Sequence, residues 1–116
     1  MVADARRALG TARVKDAAPL FAALGDETRL RVLMRLSTGG PASIAALCEA
    51  SPVSRQAITK HLEVLSAARL VRSARRGRER IWEIEPRRLE DAHGYLDGIS
   101  KQWDAALERL RAFVED

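Results

Sequence analysis

The strongest constraint in this sequence is a pair of short helical patterns separated by a break of three residues. Ser43 is a suitable N-cap for a helix over residues 44–50, and Ser54 is a suitable N-cap for a second helix. Between them, residues 51–53 contain a proline, which interrupts a helical pattern. The second helix has apolar residues at the spacing of one buried face: Ile58, Leu62 and Leu65. Because short helices are stable only when packed, the segment predicts a helix-turn-helix unit.

A strand pattern follows the two helices. Residues 70–74 and 80–84 show the alternation of strands, and residues 75–79 lie between them. Gly77 permits the positive φ that a tight turn needs. Pro86 then ends the second strand and suits the start of a helix. The pattern predicts a β-hairpin with arginines at its tip.

Further helices are expected on both sides of this region. Before it, residues 18–24 have one apolar face, and Asp26 is a suitable N-cap for the next helix. We expect that helix to bury Leu30, Leu33, Met34 and Leu36. After the hairpin, a single long helix is expected over residues 87–113. The fold class is therefore mainly α with a small β-hairpin.

The composition agrees with one packed domain. The chain has 116 residues, and 47% of them are hydrophobic, which is sufficient for one core. No apolar run reaches the length of about 20 residues that a membrane helix needs, and residues 1–15 lack the apolar stretch of a signal peptide. Cys48 is the one cysteine, so no internal disulfide can form. These features predict a cytoplasmic protein with no membrane partner.

Positive charge is concentrated in the hairpin and in the helix before it. Residues 54–80 contain eight Lys or Arg and two Glu, a net charge of +6, whereas residues 81–116 carry a net charge of −4. A basic region beside an acidic one is typical of a polyanion-binding face next to a separate module. The alternative is a solvated charged surface, which is common in Arg-rich sequences.

Two short helices followed by a basic hairpin form the plan of a winged helix-turn-helix, which predicts binding to double-stranded DNA. The major groove admits one α-helix, whose N-terminal residues reach base edges. The recognition-helix residues expected to contact DNA are Ser54, Arg55, Gln56 and Thr59, with Lys60 and His61 facing phosphate. The expected wing residues are Arg75, Arg76, Gly77, Arg78 and Arg80. Gln can bond adenine twice, and Arg can bond guanine twice.

Structural roles could explain some of these residues instead. Ser54 could be only a helix cap, and His61 could be a hydrogen-bonded residue at the edge of the core. For the hairpin arginines this explanation is weak. Four positive charges within six residues repel one another unless an anion relieves them.

Several ordered motifs resemble the ArsR family of bacterial winged-helix repressors. They are FAALGDETRLR at residues 21–31, SRQAITKHLEVL at residues 54–65, and the Arg-Gly-Arg hairpin. The resemblance spans about residues 18–86 and implies a homodimer built from the first and last helices. It also implies binding to an inverted repeat and repression of the protein's own operon. By position, the resemblance places Ser54, Gln56, Thr59 and His61 in the recognition helix, and Arg76, Gly77 and Arg78 in the wing.

The last helix independently favours a homodimer. Its apolar stripe is larger than a small domain can easily cover alone. The expected interface residues are Leu96, Ile99, Trp103, Leu107 and Leu110. The alternative is that this stripe packs within one chain. We therefore expect one domain over residues 1–116, with an N-terminal extension (1–15), a winged-helix core (16–86) and a C-terminal dimerisation helix (87–116).

The metal sites that the resemblance suggests are incomplete in this sequence. The family's thiolate site needs two cysteines one residue apart, whereas this chain has Cys48 followed by Ala50. The family's last-helix site matches in part, but Leu107 cannot bind a metal. We expect no metal and no cofactor. A metal-responsive repressor remains an alternative, with three candidate ligands: Asp91, His93 and Asp104.

Other functional classes fit the sequence less well. An enzyme is not expected, because His61 and His93 lie on different helices and no phosphate-binding glycine loop is present. A winged-helix protein-interaction module would predict an acidic or apolar surface on the second helix, which instead shows Arg55 and Lys60. RNA binding would call for exposed aromatic residues, which the basic region lacks. The expected partners are DNA, a second copy of the chain and an effector that the sequence does not identify.

Overall fold

The computed structural model describes residues 12–49 and 51–115. Within them the chain forms, in order, α1 (Ala12–Leu24), α2 (Glu27–Gly39), β1 (Ala42–Ser43), α3 (Ile44–Glu49), α4 (Arg55–Ala67), β2 (Val71–Arg76), β3 (Glu79–Ile84) and α5 (Pro86–Glu115). The predicted mainly helical class with a hairpin is confirmed. Residues 1–11 of the predicted N-terminal extension lie outside the described residues. In the described part of the chain, no helix combines the length and the apolar composition that a transmembrane span requires.

Side-chain caps set the start of three helices as the sequence predicts. Asp26 accepts a hydrogen bond from the Arg29 N–H at 3.0 Å, and Ser54 accepts one from the Ala57 N–H at 3.2 Å. Ser43 accepts from the Ala46 N–H at 3.2 Å. Each cap satisfies a donor that the first helical turn leaves unpaired. These local contacts fix the bounds of the helix-turn-helix unit.

The core face of α2 differs from the prediction. Leu33 and Leu36 are buried as expected, together with Val32. Leu30 and Met34 are 43% and 59% exposed, so the prediction was wrong for these two residues. Successive helical residues are turned by about 100°. Val32, Leu33 and Leu36 therefore share one face, and Leu30 and Met34 lie on a neighbouring face that the single chain leaves uncovered.

The hairpin is longer and its turn tighter than the sequence pattern indicated. β2 and β3 pair antiparallel from Val71 opposite Ile84 to Arg76 opposite Glu79. Only two residues remain in the turn, not the five of the predicted segment 75–79. Gly77 has a φ of 65°, the positive value that the first residue of a type II′ turn requires. The ladder therefore carries the arginines to the end of a narrow two-stranded ribbon.

A third strand, which the sequence did not predict, supports this hairpin. β1 pairs with β3, and the sheet has the order β1-β3-β2. Ala42 lies opposite Trp82, and Ser43 lies opposite Ile81. A strand of two residues has no alternating pattern to detect. It joins the chain just before α3 to the middle of β3, so the sheet and the helix-turn-helix unit form one body.

The end of α4 has an unusual backbone conformation at Arg69. Its φ is 62°, in the left-handed region that glycine usually occupies after a helix. The N–H of Leu70 donates to Leu65 O, and the N–H of Arg69 donates to Ser66 O, each at 2.9 Å. These are the two bonds of a Schellman motif, and Leu65 and Leu70 are both fully buried. The buried leucines hold Arg69 in a conformation that costs about 1 kcal/mol for a non-glycine residue.

Candidate DNA-binding face

The N-terminal half of α4 exposes the polar residues that the sequence predicted for recognition. Arg55, Gln56 and Lys60 are exposed, while Ile58 on the opposite face is fully buried. Thr59 is half-buried, and its hydroxyl donates to Arg55 O at 2.9 Å. The hydroxyl of Ser54 is used as a helix cap, as the structural alternative proposed. The face therefore offers two long cations and one amide at the start of an amphipathic helix.

His61 lies on a different side of α4, against the start of α2. Its Nδ1 is 3.4 Å from Arg29 Nη1 and 3.8 Å from Asp26 Oδ2. Its side chain is 21% exposed. This position agrees with the alternative of a hydrogen-bonded residue at the edge of the core.

Arg29 connects three helices at this point. Its Nε donates to Ala23 O at 2.6 Å, and its Nη2 donates to Ala22 O at 3.4 Å, near the end of α1. The hydrogen bond from the Arg29 N–H lowers the pKa of Asp26. Arg29, in the first turn of α2, therefore links the carbonyl end of α1 to His61 on α4.

The hairpin presents the other predicted cluster. Arg75, Arg76, Arg78 and Arg80 are all exposed, as is Gly77. Arg75 lies directly opposite Arg80 in the ladder, an arrangement in which like charges destabilise a hairpin. Arg80 donates to Ser73 Oγ at 2.8 Å. Arg75, Arg76 and Arg78 have no ion-pair partner in the described part of the chain. The hairpin tip is therefore a dense positive surface whose repulsion a polyanion would relieve.

Arg72, at the base of the same hairpin, is neutralised by its neighbours. Its Nε donates to Glu83 Oε1 at 2.8 Å, and its Nη1 donates to Glu85 Oε1 at 2.6 Å. The hydrogen bond to Glu83 and the charge of Glu85 raise the pKa of the Arg72 guanidinium. This arginine ties the two strands together.

A buried arginine that the sequence analysis missed lies at the start of α5. The side chain of Arg88 is 6% exposed. Its Nε donates to Ala68 O at 3.0 Å, just after α4, and its Nη2 donates to Asp16 O of α1 at 3.4 Å. Its Nη1 is 3.5 Å from Asp91 Oδ2. Arg88 thus joins the end of α4 to both terminal helices.

Tyr95 extends this network. It is buried, and its hydroxyl donates to Asp16 Oδ2 at 2.5 Å. Burial and the hydrogen bond to Asp16 raise the pKa of Tyr95. No sequence signal indicated that Arg88 and Tyr95 contact Asp16, because these pairs lie 72 and 79 positions apart.

Known proteins resemble this chain in sequence and in structure. A family model described as a helix-turn-helix domain matches residues 24–74. The HTH-type transcriptional regulator Rv2034 of Mycobacterium tuberculosis is 36% identical over 93 residues, which cover 80% of this chain and 83% of that protein. The arsenical resistance operon repressor of Escherichia coli is 29% identical over 97 residues, covering 84% of this chain and 80% of that protein.

A solved structure of a transcriptional regulator is similar to this chain in both fold and sequence. The ArsR-like transcriptional regulator from Rhodococcus sp. RHA1 has a TM-score of 0.73 and 36% identity, covering 89% of this chain and 96% of that chain. The chain belongs to the ArsR family. It is a DNA-binding transcriptional regulator with the winged helix-turn-helix fold, as its sequence predicted. By position, α4 corresponds to the recognition helix expected from the sequence, and the β2–β3 hairpin corresponds to the expected wing. This class of protein is not an enzyme class.

The residues expected at an ArsR dimer interface form a largely exposed stripe on α5 from Leu96 to Leu110. Leu96, Trp103, Leu107 and Leu110 are 52%, 65%, 54% and 60% exposed, and Ile99 is half-buried. The first turns of the same helix are packed, with Ala92 and Tyr95 in the core. These exposures do not agree with the alternative that the stripe packs within one chain.

The three candidate metal ligands on α5 have different surroundings. Asp91 is engaged with Arg88, while His93 and Asp104 are exposed. Across residues 12–49 and 51–115, no three His, Cys, Asp or Glu side chains cluster in a way that could hold a metal ion. Cys48 is half-buried against the core and has no disulfide partner among the described residues.

Proposed function

We propose that this ArsR regulator acts as a homodimeric repressor that binds an inverted-repeat operator. The observation that carries the proposal is the division of its arginines. Those of the hairpin tip and of the α4 N-terminus are exposed without counter-charges in the described residues, whereas Arg72, Arg29 and Arg88 are held by the fold. Repression, as opposed to activation, is supported by the similarity to the arsenical resistance operon repressor of Escherichia coli.

Within this proposal, the start of α4 reads sequence. Arg55 and Gln56 are exposed in the first turn of the helix, where a recognition helix meets base edges. Gln56 is assigned to adenine and Arg55 to guanine, because these pairs can form two hydrogen bonds each. Lys60 and Thr59 lie one turn further and contact phosphate. Ser54 contributes mainly by fixing the first turn.

The wing supplies affinity that does not depend on sequence. Arg75, Arg76, Arg78 and Arg80 lie at the tip or along the last pairs of the hairpin, and Gly77 keeps the turn narrow. Such cations release counterions from the phosphate backbone, which gives a strong dependence on salt. The wing therefore positions the protein on the duplex while α4 selects the site.

The second copy of the chain is proposed to cover the stripe on α5. Trp103, Leu107 and Leu110 are more than half exposed, and contiguous apolar patches of this kind mark interaction surfaces. Two-fold symmetry would place two recognition helices on successive major-groove faces, which requires an inverted repeat. Equilibrium ultracentrifugation should give a dimer for the wild type and a monomer for Trp103→Glu.

The decisive experiment is selection from a random duplex library at two salt concentrations. We expect enrichment of an inverted repeat, with recovery falling as salt rises. Gln56→Ala should change the enriched sequence, whereas Arg31→Ala on α2 is a control that should not. Absence of enrichment would contradict the proposal and favour a protein-docking role for the fold. A parallel selection with a chelator tests the metal alternative, since any dependence of DNA binding on the chelator would restore Asp91, His93 and Asp104 as candidate ligands.

A further inference from the structure

An open cleft lies between the end of α4, the base of the wing and the first turns of α5. Its volume is about 720 Å³. Four arginines and three carboxylates line it. It is separate from the face assigned to DNA, because α4 meets DNA through its N-terminal residues and this cleft lies at the other end of that helix.

The fold itself uses only two of the four arginines. Arg72 is bonded to Glu83 and Glu85, and Arg88 is bonded to Asp91 and to main-chain oxygens. Arg69 and Arg87 are exposed, and their guanidinium groups have no hydrogen-bond or ion-pair partner within the described residues. Two guanidinium groups are therefore available to a ligand in a lining with a net charge of +1.

The backbone at Arg69 supports a role for its side chain. Apart from glycines, it is the one described residue with a positive φ. Glycine would occupy this position after a helix without strain. A strained position next to a cleft is a reason to look for a function of the side chain. The nearby N-terminus of α5, which begins at Pro86 and spans 30 residues, adds a favourable field for negative charge.

We propose that this cleft binds a small anion bearing carboxylate or phosphate oxygens, held by Arg69 and Arg87. Paired guanidinium groups recognise both kinds of oxygen through the same fork geometry. Arg88 lines the cleft and bonds Ala68 O just after α4, so an occupant contacts the arginine that holds the recognition helix. An effect of the bound anion on DNA binding, through Arg88 and α4, rests on the proposed function, whereas binding of the anion itself does not.

The test is calorimetric titration of the full chain with inorganic phosphate and, separately, with citrate. The wild type should bind at least one of them, and the arm that gives heat identifies phosphate or carboxylate as the preferred group. Arg69→Gly should weaken binding at least tenfold. Because glycine suits a positive φ, this variant should melt no lower than the wild type, so weaker binding would not reflect unfolding. Arg31→Ala, which removes a cation outside the cleft, should leave binding unchanged.

A second variant tests the sign of the ligand charge. Glu90 lines the cleft and is exposed without an ion pair in the described part of the chain. Glu90→Gln should strengthen binding of an anion. Weaker binding of the anion in this variant would overturn the proposal. No heat with either anion, or an equal loss in Arg31→Ala, would also overturn it.

Duplex binding separates failure of this inference from failure of the proposed function. Without added anion, Arg69→Gly should bind DNA as the wild type does. If it loses DNA affinity while neither anion binds the wild type, the cleft contacts the DNA backbone and the small-anion site is wrong. If no duplex binds any variant but the anions bind as expected, the site stands and the DNA assignment fails.

Discussion

The arginines at the base of the wing and those at its tip are the same residue type in opposite situations. Arg72 holds two glutamates across the hairpin, and Arg88 is buried among oxygens of three helices. Arg75, Arg76 and Arg78 lie only a few residues further along and have no counter-charge among the described residues. The comparison separates two roles for charge: bonded arginines assemble the domain, and the unbonded arginines are those proposed to contact DNA.

The largest effect is expected from removing the charge of the wing tip. Arg76→Ala combined with Arg78→Ala should weaken duplex binding on the order of a hundredfold and reduce the salt dependence, because phosphate contacts are lost. Binding is measured by fluorescence anisotropy at several salt concentrations. Arg72→Ala is the matched control from the base of the wing and should keep the salt slope. Equal salt slopes in all three proteins would show that the arginines at the tip do not contact phosphate more than Arg72 does.

At the bonded arginine Arg88, substitution is expected to change the stability of the fold. Arg88→Met should lower the free energy of unfolding by about 2 kcal/mol, because the Ala68 and Asp16 oxygens lose a buried donor. Urea denaturation measures this change. Arg87→Met, at the exposed neighbouring position, should unfold like the wild type. Similar midpoints for the two variants would show that Arg88 does not assemble the domain.

A smaller effect, and one of a different kind, is expected at Gln56. Gln56→Ala should reduce discrimination between the best operator and a single-base variant by about 1.4 kcal/mol, or roughly tenfold. Affinity for random duplex should stay within about twofold, since this residue carries no charge. Lys60→Ala is the control and should weaken both duplexes alike. A uniform loss in Gln56→Ala would remove it from the base-reading group.

Local features of this fold could be predicted from the sequence. The caps at Asp26, Ser43 and Ser54 depend on residues three positions away, and the structure confirms them. The exposed face of α4 follows from the buried spacing of its leucines and isoleucine. The winged plan also follows, because the change from helical to strand period marks each element in turn.

Features that depend on distant contacts could not be predicted in the same way. Arg88 reads as one more charged residue in an Arg-rich sequence, and its burial arises only when α1, α4 and α5 meet. β1 exists because β3 offers it an edge, and its two residues carry no pattern of their own. Leu30 and Met34 were misjudged because α2 has two adjacent apolar faces, and periodicity alone does not say which one the core covers.

The smallest effect concerns Asp26, which extends the comparison to another bonded arginine, Arg29. The Arg29 N–H lowers the pKa of Asp26 in the folded chain, so the ionised cap stabilises the fold. Because the folded pKa lies below the unfolded one, this contribution is complete above the unfolded value of about 4. It is lost as the pH falls through the folded value.

Asp26→Ser separates the charge from the cap. Serine at an N-cap still accepts a hydrogen bond from the first turn but does not titrate in acid. The variant should therefore unfold like the wild type near neutral pH, and its stability should fall less steeply below about pH 4. Thermal melts at a series of pH values measure both. If the two proteins lose stability in parallel on acidification, the ionised state of Asp26 contributes nothing, and Arg29 joins the helices through the Ala22 and Ala23 oxygens and the His61 ring alone.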